Sequence, residues 1–390
     1  MKNPFKATLD SRVIYSNDQI GLAHDACKIC WDKPAEEGSQ AMLNYIQKRI
    51  SSGHESVIEH TNIIMLISTS IGSYKNELLE IIALCKYLGV SVKYDSKENL
   101  AYILIGGSIR GYKHIFRNIT NMTNPILAKI KDNLYDSSYP EFFADFIEAG
   151  IMDERNFRVE EYRFKQLYRT TTDPSDKLEV VNIDPIHSIY NELQESIGDI
   201  FTYSDLLGVC SVTVLFKDMS RTATHQLVRH RNAITQESQR YVDYSNAKFV
   251  SPDQYNDEYK DIHYNINIFD KEVSVTMEEL GKELMKIYHQ LREQDVKKQD
   301  ARAFLPSNVA CNKLYMTFTY KNLIKFLELR TDLAAQSEIR NYAEILLKEF
   351  ADYTEDVLGG IYKYLLPTYL LSEVDYDYSK IDEVLEVIDE

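Results

Sequence analysis

The stretch Thr61–Thr69, TNIIMLIST, constrains the fold of this chain more than any other. It is apolar and β-branched, the pattern of a strand buried within a sheet. Just ahead of it, Met42, Ile46 and Ile50 fall on one face of a helix over Ala41–Ile50, which Ser52-Gly53 ends. Strand signals return at Leu100–Ile105, Asp205–Phe216 and Leu314–Thr319. Helical signals mark Glu77–Leu88, Pro140–Glu148, Asp270–Gln294, Lys321–Leu329 and Ala334–Tyr353. Ser220 is placed to cap a helix running through His230. The class this predicts is α+β, a mostly antiparallel sheet flanked by helices. Asp173-Pro174 and Asp184-Pro185 mark turns in the middle third, so 71–204 reads as an inserted accessory subdomain. It separates an N-terminal part (1–70) from a C-terminal part (205–365), and an acidic tail follows at 366–390. No strong repeat is visible. GGSIRGYKHIFRN at 106–118 only faintly echoes TFTYKNLIKFLELR at 317–330, as a strand end running into a helix with Arg or Lys.

The chain has 390 residues and a formal net charge of −16. That field opposes non-specific contact with nucleic acid or with an anionic membrane. A small anionic ligand remains possible where positive charge is gathered locally. The five cysteines, Cys27, Cys30, Cys85, Cys210 and Cys311, show no disulfide-framework spacing. Cys27 and Cys30 form a CxxC without a second pair, which is weak support for a metal, and no metal is expected. The first residues, MKNPFKATLDSR, lack the apolar core of a secretory signal, and no apolar run approaches the ~20 residues of a membrane span. A cytoplasmic protein is expected.

Ser220–Ser245, SRTATHQLVRHRNAITQESQRYVDYS, concentrates the chemistry. It holds Arg221, His225, Arg229, His230, Arg231 and Arg240 with only Glu237 and Asp243 as acids. On a helix, His225 and Arg229 lie at i,i+4, as do Gln226 and His230. Arginine forks suit bidentate contact with phosphate or a carbonyl edge, so the segment reads as a cradle for a planar, phosphorylated ligand. The plainer alternative is a solvated basic helix end, favourable to the helix dipole. That alternative leaves the polar continuation TQESQRY unexplained.

These residues resemble the flavin-dependent thymidylate synthase family, whose signature is RHR, seven residues, then Ser. GHESVIEH at 53–60, THQLVRHR at 224–231, ARAFLP at 301–306 and FLELRTDLAAQSEIR at 326–340 resemble family segments in the family's order. The resemblance covers roughly 20–70 and 205–350. It implies FAD as cofactor, with 5,10-methylenetetrahydrofolate and NADPH as co-substrates, for reductive methylation of dUMP to dTMP. It implies that Arg229, His230 and Arg231 hold the flavin, with Cys30, His54, Ser56, Thr319 and Lys325 as further flavin neighbours. Gln226, Gln236, Ser238, Arg240, Arg302 and Arg330 would bind dUMP. Arg330 would also stabilise charge on the activated uracil, with Ser238 beside it in the catalytic set. The family's sites are shared between subunits of a homotetramer.

The sequence departs from the pattern in places. Six residues, NAITQE, separate Arg231 from Ser238. Thr319 and Lys325 stand where amide donors are usual. These features leave room for a folate-dependent pyrimidine hydroxymethylase or a dCMP-acting variant, and a non-catalytic nucleotide or flavin binder is a further alternative. His54 and His60 are not at the HExxH spacing that sets two ligands on one helical face. Ser238 lacks a neighbouring His–Asp pair and reads as a hydrogen-bonding residue rather than a nucleophile.

Overall fold

The computed structural model describes residues 9–31, 38–158, 167–170, 176–259, 262–268 and 270–353. The acidic tail and Asp173-Pro174 lie outside them. In chain order the elements are β1 (Leu9–Ser16), α1 (Gln19–Trp31), α2 (Ser39–Ser51), a 3-10 turn (Glu55–His60), β2 (Ile63–Ser70), α3 (Ile71–Leu84), β3 (Gly89–Asp95), β4 (Leu100–Gly107), α4 (Ile109–Asn118), α5 (Pro125–Ser137) and α6 (Ala144–Glu148). There follow β5 (Leu167–Thr170), β6 (Leu178–Ile183), α7 (Ile186–Ile197), α8 (Tyr203–Leu206), β7 (Ser211–Ser220), α9 (Arg221–Leu227) and β8 (Ala233–Gln236). The last are β9 (His263–Ile268), β10 (Lys271–Thr276), α10 (Met277–Glu293), α11 (Lys298–Ala301), β11 (Ala310–Thr319), α12 (Tyr320–Thr331) and α13 (Ser337–Tyr353). The class is α+β.

Two main sheets carry the fold, ordered β1-β2-β4-β3 and β5-β6-β7-β11-β8, and all their pairings are antiparallel. The stretch 71–204 supplies β3 and β4 to the first sheet and β5 and β6 to the second. β2 is buried along nearly its whole length, as its apolar sequence requires. Its odd-numbered residues Ile63, Met65 and Ile67 pack with Ile103 and Ile105 beneath α1–α6. Ile64 and Leu66 on the other face join Leu193 of α7 and Val212 and Val214 of β7. Helix α1 and the 3-10 turn, from the chain's first part, lie on β8 and β11 of the second sheet, while α7 touches β1 of the first.

Residues 270–294 prove to be two elements. Lys271–Thr276 forms β10 in a hairpin with β9, and the helix begins only at Met277. The capping box of Thr276 and Glu279 fixes that start. Lys271, Val273 and Val275 carry a strand's alternation, which favours the hairpin over helix up to the cap.

Candidate functional site

Strand β7 delivers the chain to the cationic segment. At its end the Ser220 hydroxyl accepts from the Ala223 amide at 3.1 Å, which starts α9 where the sequence predicts. Glu338 of α13 locks this corner, accepting from the Ser220 amide at 2.7 Å and its hydroxyl at 2.6 Å. Helix α9 tightens into a 3-10 turn at Val228–His230. Arg231 then takes a left-handed conformation, φ 53°, which turns the chain into β8. Such a conformation in a non-glycine residue costs about 1 kcal/mol or more and is held by its surroundings.

The loop after α9 runs along one face of α12. Asn322, Phe326 and Arg330 recur every four residues and form a stripe on that helix. Asn322 Nδ2 donates to Asn232 Oδ1 at 2.8 Å, and the Phe326 ring meets His230 edge-on at 5.1 Å. Arg330 Nε donates to His230 Nε2 at 3.0 Å, and its Nη1 reaches Gln226 Oε1 at 3.5 Å. Gln226 in turn donates to Gln336 at 2.6 Å. Burial, with Arg330 and Lys325 nearby, lowers the His230 pKa to about 4. The ring is therefore neutral at pH 7, and its accepting Nε2 places the proton on Nδ1. Burial and the neighbouring Arg229 lower the Arg330 pKa too. Among the described residues, Arg229, Arg231, Lys321, Lys325 and Arg330 have no carboxylate partner. A cluster of uncompensated cations favours an anion.

Beside this cluster a cavity of about 690 Å³ opens between the two sheets. Its basic lining residues are Lys86, Arg110, His114, Arg117, Arg231 and Lys321, and its acid is Glu59. Thr319 lies on its wall and caps α12, its hydroxyl accepting from the Asn322 amide at 3.2 Å. Asn232 on the same wall has a buried Nδ2 with no acceptor among the described residues. A second cavity lies between α10 and Tyr342, but its Lys248, Lys282 and Lys286 are paired with Asp218, Glu278 and Glu283, and its Lys177 donates to Asn341.

The sequence-predicted residues fall into three groups. Gln226, Arg229, His230, Lys325 and Arg330 form one cluster, with Arg231 and Thr319 on the adjoining cavity. Gln236 sits next to it and donates to Thr224 at 2.9 Å. Cys30, His54 and Ser56 are half-buried on α1 and the 3-10 turn, which pack on β8. Burial raises the Cys30 pKa against the pull of Arg49, so the thiol stays protonated. His60 ends that turn fully buried, its ring nitrogens 2.9 Å from the hydroxyls of Thr235 and Thr317. Burial lowers its pKa to about 3. Ser238, Arg240 and Arg302 form the third group, on the outer lobe around α10 and α11. Arg240 is exposed over Tyr241, and Arg302 is exposed and donates to the Gln299 carbonyl at 3.1 Å. Among the described residues, neither of these two arginines bonds Arg330. Lys321, Asn232 and Asn322 were missed by sequence reasoning. The signal for Lys321 and Asn322 was the helix cap at Thr319, because residues two and three past the cap face the same cavity, and Asn232 directly follows Arg231.

Among the described residues, no group of three or more His, Cys, Asp or Glu is arranged to hold a metal ion. No described helix is long and apolar enough to cross a membrane.

Residues 165–354 match the family model described as "Thymidylate synthase complementing protein". The chain is 30% identical over 223 residues to the flavin-dependent thymidylate synthase of Sulfurisphaera tokodaii, covering 56% of this chain and 75% of that protein. The enzyme of the same name from Pyrococcus abyssi is 29% identical over 186 residues, 46% of this chain and 69% of its own length. That of Thermococcus onnurineus is 31% identical over 160 residues, 40% of this chain and 60% of its own length, so under two thirds of that relative is spanned.

Proposed function

Because the chain belongs to the flavin-dependent thymidylate synthase family, a family of enzymes, we propose that it converts dUMP to dTMP by reductive methylation. The co-substrates in this reading are 5,10-methylenetetrahydrofolate and NADPH, and the flavin is FAD. The observation that carries it is the cluster of Arg229, His230, Lys325 and Arg330, without a described carboxylate partner in a chain of net −16. The donor set fits a flavin dinucleotide. Its diphosphate needs fixed cations, which Arg229, Arg231 and Lys321 offer, and its ring edge needs amide or hydroxyl partners, which Asn232 and Thr319 offer. When bound, FAD would supply the hydride that completes the methyl group.

The chain's own residues do the rest. Neutral His230 accepts from Arg330 Nε and so fixes the plane of that guanidinium. The rest of its forked edge is then oriented toward a nucleotide carbonyl, where it can stabilise negative charge as the uracil is activated. One such fixed donor is worth about 3–4 kcal/mol. Gln226, Gln236 and Ser238 offer hydrogen bonds to the pyrimidine. Arg240 and Arg302 offer charge to its phosphate, reached in a homo-oligomer whose copies share sites. A cytoplasmic setting goes with this reading.

The test is direct. The purified protein is loaded with FAD, reduced, and mixed with dUMP and methylenetetrahydrofolate. Flavin reoxidation together with dTMP is expected. Product formation that needs folate but no reductant would point to the hydroxymethylase instead. Failure to bind FAD in excess would overturn the proposal.

A further inference from the structure

The two main sheets repeat one plan. β1-β2-β4-β3 matches β6-β7-β11-β8 in order and in every antiparallel pairing. Irregularities agree as well. A register shift falls between Val13 and Tyr15 in β1 and between Val180 and Asn182 in β6. Just past each shift, a side chain ties the two strands at the same place. Asn17 Oδ1 accepts from the Asn62 amide at 2.8 Å, and Asp184 Oδ2 from the Ser211 amide at 2.5 Å. At the far ends, Ser108 caps α4 and Thr319 caps α12, each accepting an amide at 3.2 Å. Helices follow the pattern too. α3 lies on β2 as α9 lies on β7, and α5 lies on β1 as α13 lies on β6.

The packing between the repeats is reciprocal. α1 and the 3-10 turn of the first lie on the sheet of the second, and α7 of the second lies on the sheet of the first. That is the signature of an isologous pair, here within one chain.

Strand register gives several site residues a counterpart. Gly89 and Ala233 both stand opposite the matched positions Gly106 and Thr317, so Arg229, His230 and Arg231 correspond to Cys85, Lys86 and Tyr87. Counting from the caps, Lys321 corresponds to Arg110, Lys325 to His114 and Arg330 to Ile119. Counting back from β2 and β7, His54 corresponds to Tyr203 and Ser56 to Asp205. The two places have diverged in opposite senses. At the first, the 53–60 segment lies on β8, beside the arginine loop. At the second, the loop has lost its arginines, and the Asp205 carboxylate is held by Ser91 at 2.5 Å and Lys93 at 3.1 Å. A fixed carboxylate repels phosphate. The α4 cations are also committed, Arg110 to Glu59 and Arg117 to Glu55 of the 53–60 segment and to Asp145.

We infer that the chain is two copies of one folding unit joined end to end, and that the pair holds a single working flavin site. It forms where the 53–60 segment of the first copy meets the Arg229–Arg231 loop of the second. The mirror place no longer takes the cofactor. This rests on the flavin reading of the preceding subsection. The full-length protein is titrated with FAD, and bound cofactor is counted by absorbance after equilibrium dialysis. Saturation at one FAD per chain is expected. Arg231→Asn, which keeps a residue tolerant of the left-handed turn, weakens FAD binding at least tenfold. His54→Ala on the other copy weakens it as well. Lys93→Ala and Asp205→Asn at the mirror place, which do not line the cavity beside Arg231, change it less than twofold. Circular dichroism confirms that each variant is folded. Two FAD per chain, or mirror-place variants as damaging as Arg231→Asn, overturn the inference and leave the flavin reading standing. No FAD bound by the unaltered protein overturns both.

Discussion

Helices α4 and α12 start the same way, from a hydroxyl cap at the end of an inner strand, yet their charges meet opposite ends. On α4, Lys113 is fully buried and bonded to Glu55 at 2.9 Å and Asp145 at 2.5 Å. Arg117 bonds both of the same acids. Burial would raise the Glu55 pKa, but hydrogen bonds from Arg117 and Lys113 prevail and lower it to about 2. On α12, Lys321, Lys325 and Arg330 have no carboxylate partner among the described residues. The difference separates two uses of one scaffold. Charges closed upon themselves hold a structure together. Charges left open hold something else.

The sharpest test of that contrast is Lys113→Ala. It leaves Glu55 and Asp145 to Arg117 alone beneath the helix and is expected to cost about 3 kcal/mol in urea unfolding. Lys325→Ala on the other helix is expected to change stability by less than about 0.5 kcal/mol. If both cost the same, the contrast fails. Next comes Arg330→Ala, expected to lower turnover about 100–1,000-fold while the protein keeps its flavin and its melting temperature. Normal turnover in that variant would remove Arg330 from the chemistry.

A smaller effect is expected from the caps. Ser108→Ala and Thr319→Ala should each cost about 1 kcal/mol of stability. Only the second should also weaken flavin binding, measured by fluorescence quenching.

The mildest expectation concerns pH. His60 and His230 have folded pKa values of about 3 and about 4, below the ordinary ~6.5 of the unfolded chain. The unfolded state therefore binds more protons between those limits. The histidine contribution is complete above about pH 6.5 and is lost as pH falls toward 4 and then 3. Melting temperatures across that range should fall, and less steeply in His230→Asn. An unchanged slope would mean that His230 is not held neutral.

Much of the local structure was legible in the sequence. The buried β2, the Ser220 cap and the strand-to-helix step at Thr319 all follow from burial pattern and cap chemistry. The cluster around Arg330 was legible through motif order, since Phe326 and Arg330 are four positions apart on one helix and so share the face that meets the loop. The organisation of 71–204 was not. Its β4 and β6 also pair with β2 and β7 across intervening helices, and such pairing leaves no local signal. The repeat was equally hidden, because it survives in register and bonding rather than in residue identity. The faint echo of 106–118 in 317–330 is what remains of it in letters, with Arg110 and Lys321 each two past a cap. β10 was lost inside a helix because the helical pattern after it is strong.

The close approach at Gly89 shows what becomes possible once both sides of a contact belong to one polypeptide. A Cβ there would stand 2.0 Å from the Gly208 carbonyl oxygen. The register counterpart of Gly89 is Ala233, which already carries that carbon, and it faces a segment where Glu59 stands in the place of Gly208. Were the halves separate identical molecules, any exchange of residues would strike both surfaces together, and each would need to tolerate it twice. Tethered, they are free to drift apart: one side can specialise in chemistry while the other becomes its permanent scaffold.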